Sequence, residues 1–279
     1  RVKTEIHDMV AADIDGDGRQ DVVVLGDREG CFWYRIPPAP AKDTDWPRTT
    51  ITLAVLKQNE GIHSGFNPGG IGDLDGDGDN DIVLPNQWLE NSGNGKAWTP
   101  RRWFFGKIGP WSFSSRSWIA DLDGDGDNDV LIADSDGQNS GVAWIENNPT
   151  RQGRFSLPKY FTNQSPGTRG ALHSMRFADF DGDGDRDLLV VEQEDPSILP
   201  LGASPRWFIF ENQSTPGNVR FTERVIFNQS LGGHDVHVGD VDGDGDIDIV
   251  SKIWSVWNGN ANGGKVHLDW LENITKSRR

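Results

Sequence analysis

The sequence predicts an all-β fold, a β-propeller of four-stranded blades. One acidic loop recurs five times, with its first Asp at positions 13, 73, 121, 179 and 240. Successive copies lie 60, 48, 58 and 61 residues apart, and self-similarity at such a period marks propellers and solenoids. Each copy sits between two short apolar runs, and the chain holds 34 glycines with few stretches of helical periodicity.

The runs before the loops, at 9–12, 70–72, 118–120, 175–178 and 236–239, are expected as strand A of each blade. The runs after them, at 22–25, 82–84, 130–133, 188–191 and 249–250, are expected as strand B. Strand C carries an aromatic cue: Trp88-Leu89-Glu90-Asn91, Trp144-Ile145-Glu146-Asn147, Ile209-Phe210-Glu211-Asn212 and Trp270-Leu271-Glu272-Asn273. Blade one has Trp33-Tyr34-Arg35 in that place. Strand D is expected at 49–55, 101–105, 155–161 and 221–227. Four strands per repeat make a propeller blade.

Blade five has no apolar run after Trp270 that could serve as its fourth strand, but residues 1–6 precede strand A of blade one. Pairing of 1–6 with blade five would close the ring and leave no open sheet edge there. The wrap-around spacing of 52 residues falls inside the range of the others. One domain over 1–279 follows, with blades at 7–56, 57–106, 107–162, 163–228 and 229–279 plus 1–6. The alternative is a fragment of a larger, seven-bladed propeller.

The loops themselves predict a hard-cation site. Carboxylates stand at loop positions 1, 3, 5 and 9 and glycines at 4 and 6. The side-chain ligands would be Asp13, Asp15, Asp17 and Asp21; Asp73, Asp75, Asp77 and Asp81; Asp121, Asp123, Asp125 and Asp129. In the last two loops they would be Asp179, Asp181, Asp183 and Asp187, then Asp240, Asp242, Asp244 and Asp248. Position 7 would add a backbone carbonyl, from Arg19, Asp79, Asp127, Asp185 and Asp246. Such an oxygen cage suits Ca²⁺, while Mg²⁺ keeps more of its water and binds through fewer carboxylates. Solvated Asp-Gly turns would explain one copy, but not Asp at the same four offsets in five copies. Clustered carboxylates repel, and a cation makes the arrangement favourable. The bidentate Glu at position 12 of an EF-hand is absent, and no helical pattern flanks the loops. About five Ca²⁺ ions, one per blade, are expected.

The formal net charge is −16, and five bound divalent cations would bring it to −6. The acidity therefore belongs to the loops. No basic stripe offsets it, so a nucleic-acid partner is not expected. Cys31 is the only cysteine, which excludes an internal disulfide; it lies in an apolar strand and is expected to be buried and inert. No segment is long enough to span a membrane. The chain begins at Arg1, which suggests a removed leader. Loops of this kind suit millimolar calcium, so a secreted, extracellular or periplasmic protein is expected, as a monomer.

The repeated motif, (Val/Ala)-x-Asp-x-Asp-Gly-Asp-Gly-x-x-Asp followed by Trp-x-Glu-Asn, resembles the FG-GAP/VCBS repeat. It is similar to the calcium-bearing blades of integrin α-subunit propellers and of many bacterial secreted proteins. The resemblance covers nearly the whole chain and implies propeller blades and calcium. It does not imply an activity, since members include adhesion receptors, lectins and polysaccharide lyases. Many relatives have seven blades and five are visible here, which weakens any transfer of lyase or lectin residues.

If the loops join strands A and B, they mark one face, and variable material lies on the other. The B–C connections at 192–205 and 251–264 are long, and long loops in a compact domain are often functional. The second holds Lys252, Trp254 and Trp257 amid Gly and Asn. Aromatic faces beside amides suit sugars, although Trp residues can equally fill gaps between blades. His7, His173 and His234 each stand six residues before the first Asp of their loop, where blades two and three have Asn67 and Ser115. His63 and His237 are close in sequence. Repetition favours a structural contact, such as an imidazole bonded to a neighbouring blade's backbone; a ligand contact or an oriented base is the sharper reading.

The expected function is a secreted calcium-binding module for carbohydrate or an extracellular protein partner. The alternative is an enzyme acting on acidic polysaccharide, a lyase with His173, His234 or His237 as base and Lys252, Arg176 or Arg116 neutralising the uronate. Only Tyr34 and Tyr160 could serve a Tyr-dependent lyase, the first in a core strand and the second in an outer one. A third reading is a purely structural or adhesion propeller.

Overall fold

The structure, a computed structural model, describes residues 6–26, 29–53, 62–103, 114–150, 154–161, 169–195, 199, 204–229, 231–254 and 267–275. Among them there is no helix, and the strands form five blades of a β-propeller. Blade one is β1 (Ile6–Ala12), β2 (Asp21–Gly26), β3 (Gly30–Arg35) and β4 (Arg48–Thr52), paired in that order. Blade two is β5 (Pro68–Gly69), β6 (Ile71–Gly72), β7 (Asp81–Leu84), β8 (Gln87–Asn91) and β9 (Trp98–Arg102). Its first strand is interrupted: β6 pairs with β7, while β5 pairs in parallel with β10 (Ser115–Ala120) of blade three. A side chain at Gly69 would place its Cβ 2.5 Å from the Trp118 ring, so only glycine permits that approach.

Blade three continues with β11 (Asp129–Asp134), β12 (Val142–Ile145) and β13 (Lys159–Tyr160). Blade four is β14 (Leu172–Ala178), β15 (Asp187–Glu192), β16 (Trp207–Asn212) and β17 (Phe221–Phe227), and blade five is β18 (Asp235–Gly239), β19 (Asp248–Lys252) and β20 (Leu268–Leu271). Residues 1–5, expected to complete blade five, lie outside the described residues, whereas Ile6 pairs with Gly26 in blade one.

Strand A starts earlier than its apolar run, at Ile6, Ser115 and Leu172, because backbone pairing continues through polar residues. The expected strand D at 155–161 reduces to Lys159–Tyr160 and a single bridge from Phe155 to Asn147. In blade two it shifts to Trp98–Arg102, with Pro100 inside it. Both follow from position: strand D is an edge strand, where one side needs no ladder partner and Pro is tolerated.

The chain divides into two compact units, Arg1–Ile132 with Ala143–Lys159, and Ala133–Val142 with Tyr160–Arg279. In the first unit, Val23 and Leu25 of β2 pack with Ile82 and Leu84 of β7, while the intervening Val83 packs with Val130 and Ile132 of β11. Strand B therefore serves two neighbours with alternate residues, which is why it reads as an unbroken apolar run. Ile14 and Leu74, at loop position 2, plug these two cores. In the second unit Phe180, Leu189, Val191, Trp207, Val236 and Ile249 form the equivalent core. Cys31 is fully buried in β3, as expected.

Candidate functional site

All five loops fold the same way, and the fold is local. The first Asp accepts two N–H groups of its own loop: in loop two, Gly76 donates to Asp73 Oδ1 at 2.7 Å and Gly78 to Asp73 Oδ2 at 3.0 Å. Both glycines have positive φ, of 79° and 93°, which permits this turn. The ninth Asp is buried and joins two elements. Asp81 Oδ2 accepts the N–H of Leu74 at 2.9 Å and Oδ1 that of Asn91 at 2.9 Å, and Asp129, Asp187 and Asp248 repeat the pattern.

The carboxylates converge. One oxygen from each of Asp73, Asp75 and Asp81 lies within 4.8 Å of the others, and so do those of Asp121, Asp123 and Asp129, of Asp179, Asp181 and Asp187, and of Asp240, Asp242 and Asp248. In loop one the converging trio is Asp13, Asp15 and Asp17. Burial, reinforced by the charges of Asp75 and Asp77, pushes the Asp81 carboxyl up to about 7 despite its two N–H donors. Burial likewise pushes Asp129 up to about 7. Hard oxygen donors gathered until they resist ionisation fit a divalent cation.

The recurring Asn of strand C has a role that sequence reasoning missed. In three blades its side chain is a strap to a neighbouring blade: Asn91 Nδ2 donates to the Ile14 carbonyl at 3.1 Å, Asn147 to Leu74 at 2.8 Å and Asn273 to Phe180 at 2.8 Å. Its fourfold recurrence was the available signal.

At the other end of the strands lie the histidines. Six residues of strand at roughly 3.3 Å each put His7, His173 and His234 about 20 Å from the loops. In the first unit, His7 Nδ1 is 3.2 Å from Asp8 Oδ1, and the His7 and His63 rings are 3.8 Å apart. Asp8 is fully buried, and its Oδ2 accepts the N–H groups of Gly65, Phe66 and Asn67 at 2.6, 3.1 and 3.2 Å. Arg116 Nη1 stands 3.3 Å from Asp8 Oδ1. Asp8 is thus an anchor for the segment ahead of β5.

In the second unit, three rings stack. His173 and His234 have centroids 3.8 Å apart at 26°, and His234 and Trp254 5.9 Å apart at 14°. His173 is buried; its Nδ1–H donates to the His234 carbonyl at 2.9 Å, where Ser174 Oγ also donates, and its Nε2 is 3.7 Å from Asp136 Oδ1. His173 is therefore a strut to the next blade's backbone. The backbone N–H of Trp254 donates to Glu194 Oε1 at 2.6 Å, and Glu194 is buried. Trp254 leaves 48% of its surface exposed. Sequence reasoning missed Asp136 and Glu194, which stand far from these rings along the chain.

His237 is exposed on β18, 3.8 Å from Asp235 and 3.4 Å from Arg176, outside the ring stack. Lys252 is exposed on β19, its Nζ 3.5 Å from the Ile253 carbonyl. Trp257 and most of 251–264 lie outside the described residues. A groove of about 510 Å³ on blade one is lined by Ile6, Met9, Val22, Tyr34, Trp46 and Arg48, and of the residues weighed for a lyase it holds Tyr34 but no candidate base or uronate-neutralising cation.

The model of the FG-GAP-like repeat matches residues 121–190 and 199–251. The chain contains FG-GAP-like repeats. Loop two, ahead of the matched stretches, shares the geometry of loops three to five, and loop one departs from it in the carboxylates that converge. A solved structure of an Agrocybe aegerita lectin, described as specifically recognising non-reducing terminal N-acetylglucosamine, is similar at 18% identity and a TM-score of 0.48. That match covers 99% of this chain and 67% of the lectin. No curated protein matches the chain. Among the described residues no helix is long and apolar enough to cross a membrane.

Proposed function

We propose that this protein is a secreted, calcium-clamped module that binds carbohydrate on the Trp254 face. The carrying observation is the ring stack of His173, His234 and Trp254, which ends in a half-exposed indole. Sugars dock on flat aromatic faces beside a few fixed polar groups. Here the indole is held before any ligand arrives: by His234 beneath it and by the bond from the Trp254 backbone N–H to Glu194. Pre-organisation of this kind lowers the cost of binding. Calcium acts at the other end of the strands, where it neutralises the loop carboxylates and fixes the start of strand B. Extracellular calcium concentrations suit such loops.

A glycan array in calcium buffer tests the reading, with Trp254→Ala beside the parent protein. The parent should bind a defined glycan set, and Trp254→Ala should lose it at an unchanged melting temperature. Equal binding by both proteins would move the site elsewhere, and no binding by the parent would remove the carbohydrate reading.

A further inference from the structure

Loop one differs from the other four in its counter-charge. In blades two to five the residue before the recurring Asn of strand C is Glu90, Glu146, Glu211 or Glu272; in blade one Arg35 and Ile36 take the places of Glu and Asn. The effect on charge is large. Loop one has four carboxylates, Asp13, Asp15, Asp17 and Asp21, against the guanidiniums of Arg19 and Arg35, which leaves −2. Loops two to five each have five Asp and a Glu, and loop four also has Arg186. Counting the cations that pair with Glu90, Glu146 and Glu211, namely Arg101, Lys159 and Arg224, leaves −5, −5, −4 and −6 for loops two to five.

The geometry places the positive charge where a cation would sit. β2 and β3 pair Asp21 with Arg35, so the guanidinium reaches along the loop. Arg35 Nη2 bonds to Asp15 Oδ2 and lies 3.3 Å from Asp17 Oδ2. Those are the carboxylates of positions 3 and 5. Arg19 Nη2 also stands 2.8 Å from Asp17 Oδ2, and Lys96 lines the same groove as Asp15 and Arg35. In loops two to four the corresponding Glu instead adds negative charge to the carboxyls of Asp75, Asp123 and Asp185.

We propose that in blade one the Arg35 guanidinium replaces the metal ion, so that the protein binds four calcium ions and blade one folds without any. The proposal rests on the reading that the loops bind calcium. An arginine held between two carboxylates supplies the neutralisation a divalent cation would bring, and an incoming ion would have to displace it against like charge. Asp15 Oδ1 is buried with no hydrogen-bond partner among the described residues, so a ligand oxygen remains for a cation once the guanidinium is removed.

Equilibrium dialysis of the chelator-stripped protein against calcium counts the ions. Four are expected; any other number overturns the proposal, and none at all also removes the calcium reading itself. Variants locate the silent loop. Asp15→Asn should leave the count at four, and Asp75→Asn should lower it to three. A fall to three with Asp15→Asn would overturn the assignment, whether or not other variants fold. Arg35→Glu should raise the count to five; a folded Arg35→Glu protein that still binds four would overturn the role given to Arg35.

Discussion

Asn147 reaches across 73 residues of sequence to the Leu74 carbonyl, at 2.8 Å. Its own N–H meanwhile donates to Asp129 Oδ1 at 2.8 Å, and its Oδ1 accepts from Arg154 Nε at 2.8 Å. One residue so ties the loop of blade two, the loop of blade three and the end of β12. Asn147→Ala would leave the buried Leu74 carbonyl without this donor, at a cost of about 1–3 kcal/mol. Urea unfolding should give that loss, with the calcium count unchanged. Asn212, whose Nδ2 donates to the Arg186 carbonyl of its own blade in an exposed bond, should cost less on the same substitution.

Chelation should lower the melting temperature. Ions that bind only the folded protein stabilise it by mass action, by about 2.7 kcal/mol for each site at a hundredfold excess over Kd. A calorimetric melt in EDTA that overlays the melt in calcium would refute the clamp.

The metal-free protein should lose stability as pH rises. Asp81 and Asp129 are pushed up to about 7 in the folded state, well above their ordinary value of 3.8. Between those values the folded state holds protons that the unfolded chain releases, so stability is greatest on the acid side and falls as pH climbs towards about 7. Calcium should cancel the fall by neutralising the ionised carboxylates. The rise in melting temperature caused by calcium should therefore grow from about pH 5 to about pH 8, and a pH-independent rise would contradict the assignment.

Gly95→Ala should destabilise blades one and two. Gly95 has a φ of 63°, and an added Cβ would lie 2.8 Å from Ile14 and 3.0 Å from Trp33. Its carbonyl also accepts the indole N–H groups of Trp33 and Trp98, at 3.1 and 3.0 Å. Overpacking at such a point costs about 1–3 kcal/mol, measurable by denaturant titration.

Cys31 should resist thiol reagents until the protein unfolds. Burial pushes its thiol well above the ordinary range, and the thiolate is the reactive form. Labelling by a disulfide reagent should follow the unfolding transition; rapid labelling of the native protein would contradict the burial of β3.

Much of the fold is legible in the sequence, and the reason is distance along the chain. A loop's ligands all fall within nine residues, and its glycines set the turn, so Asp73 to Asp81 can be read directly. Strand B can be read because both its faces are covered: Ile82 packs into one core and the adjacent Val83 into another. Strand D is harder to place, since an edge strand needs only backbone pairing on one side.

The repeat, the blade and the gathering of carboxylates thus follow from the order of residues. What each repeated position does follows from tertiary packing. His173 and His234 are 61 residues apart, yet one bonds the other's carbonyl and stacks on its ring. Arg35 is 20 residues from Asp15, yet it bonds to that carboxylate. Local spacing encodes a turn; which charge or ring arrives from the next strand depends on how the strands pair and pack.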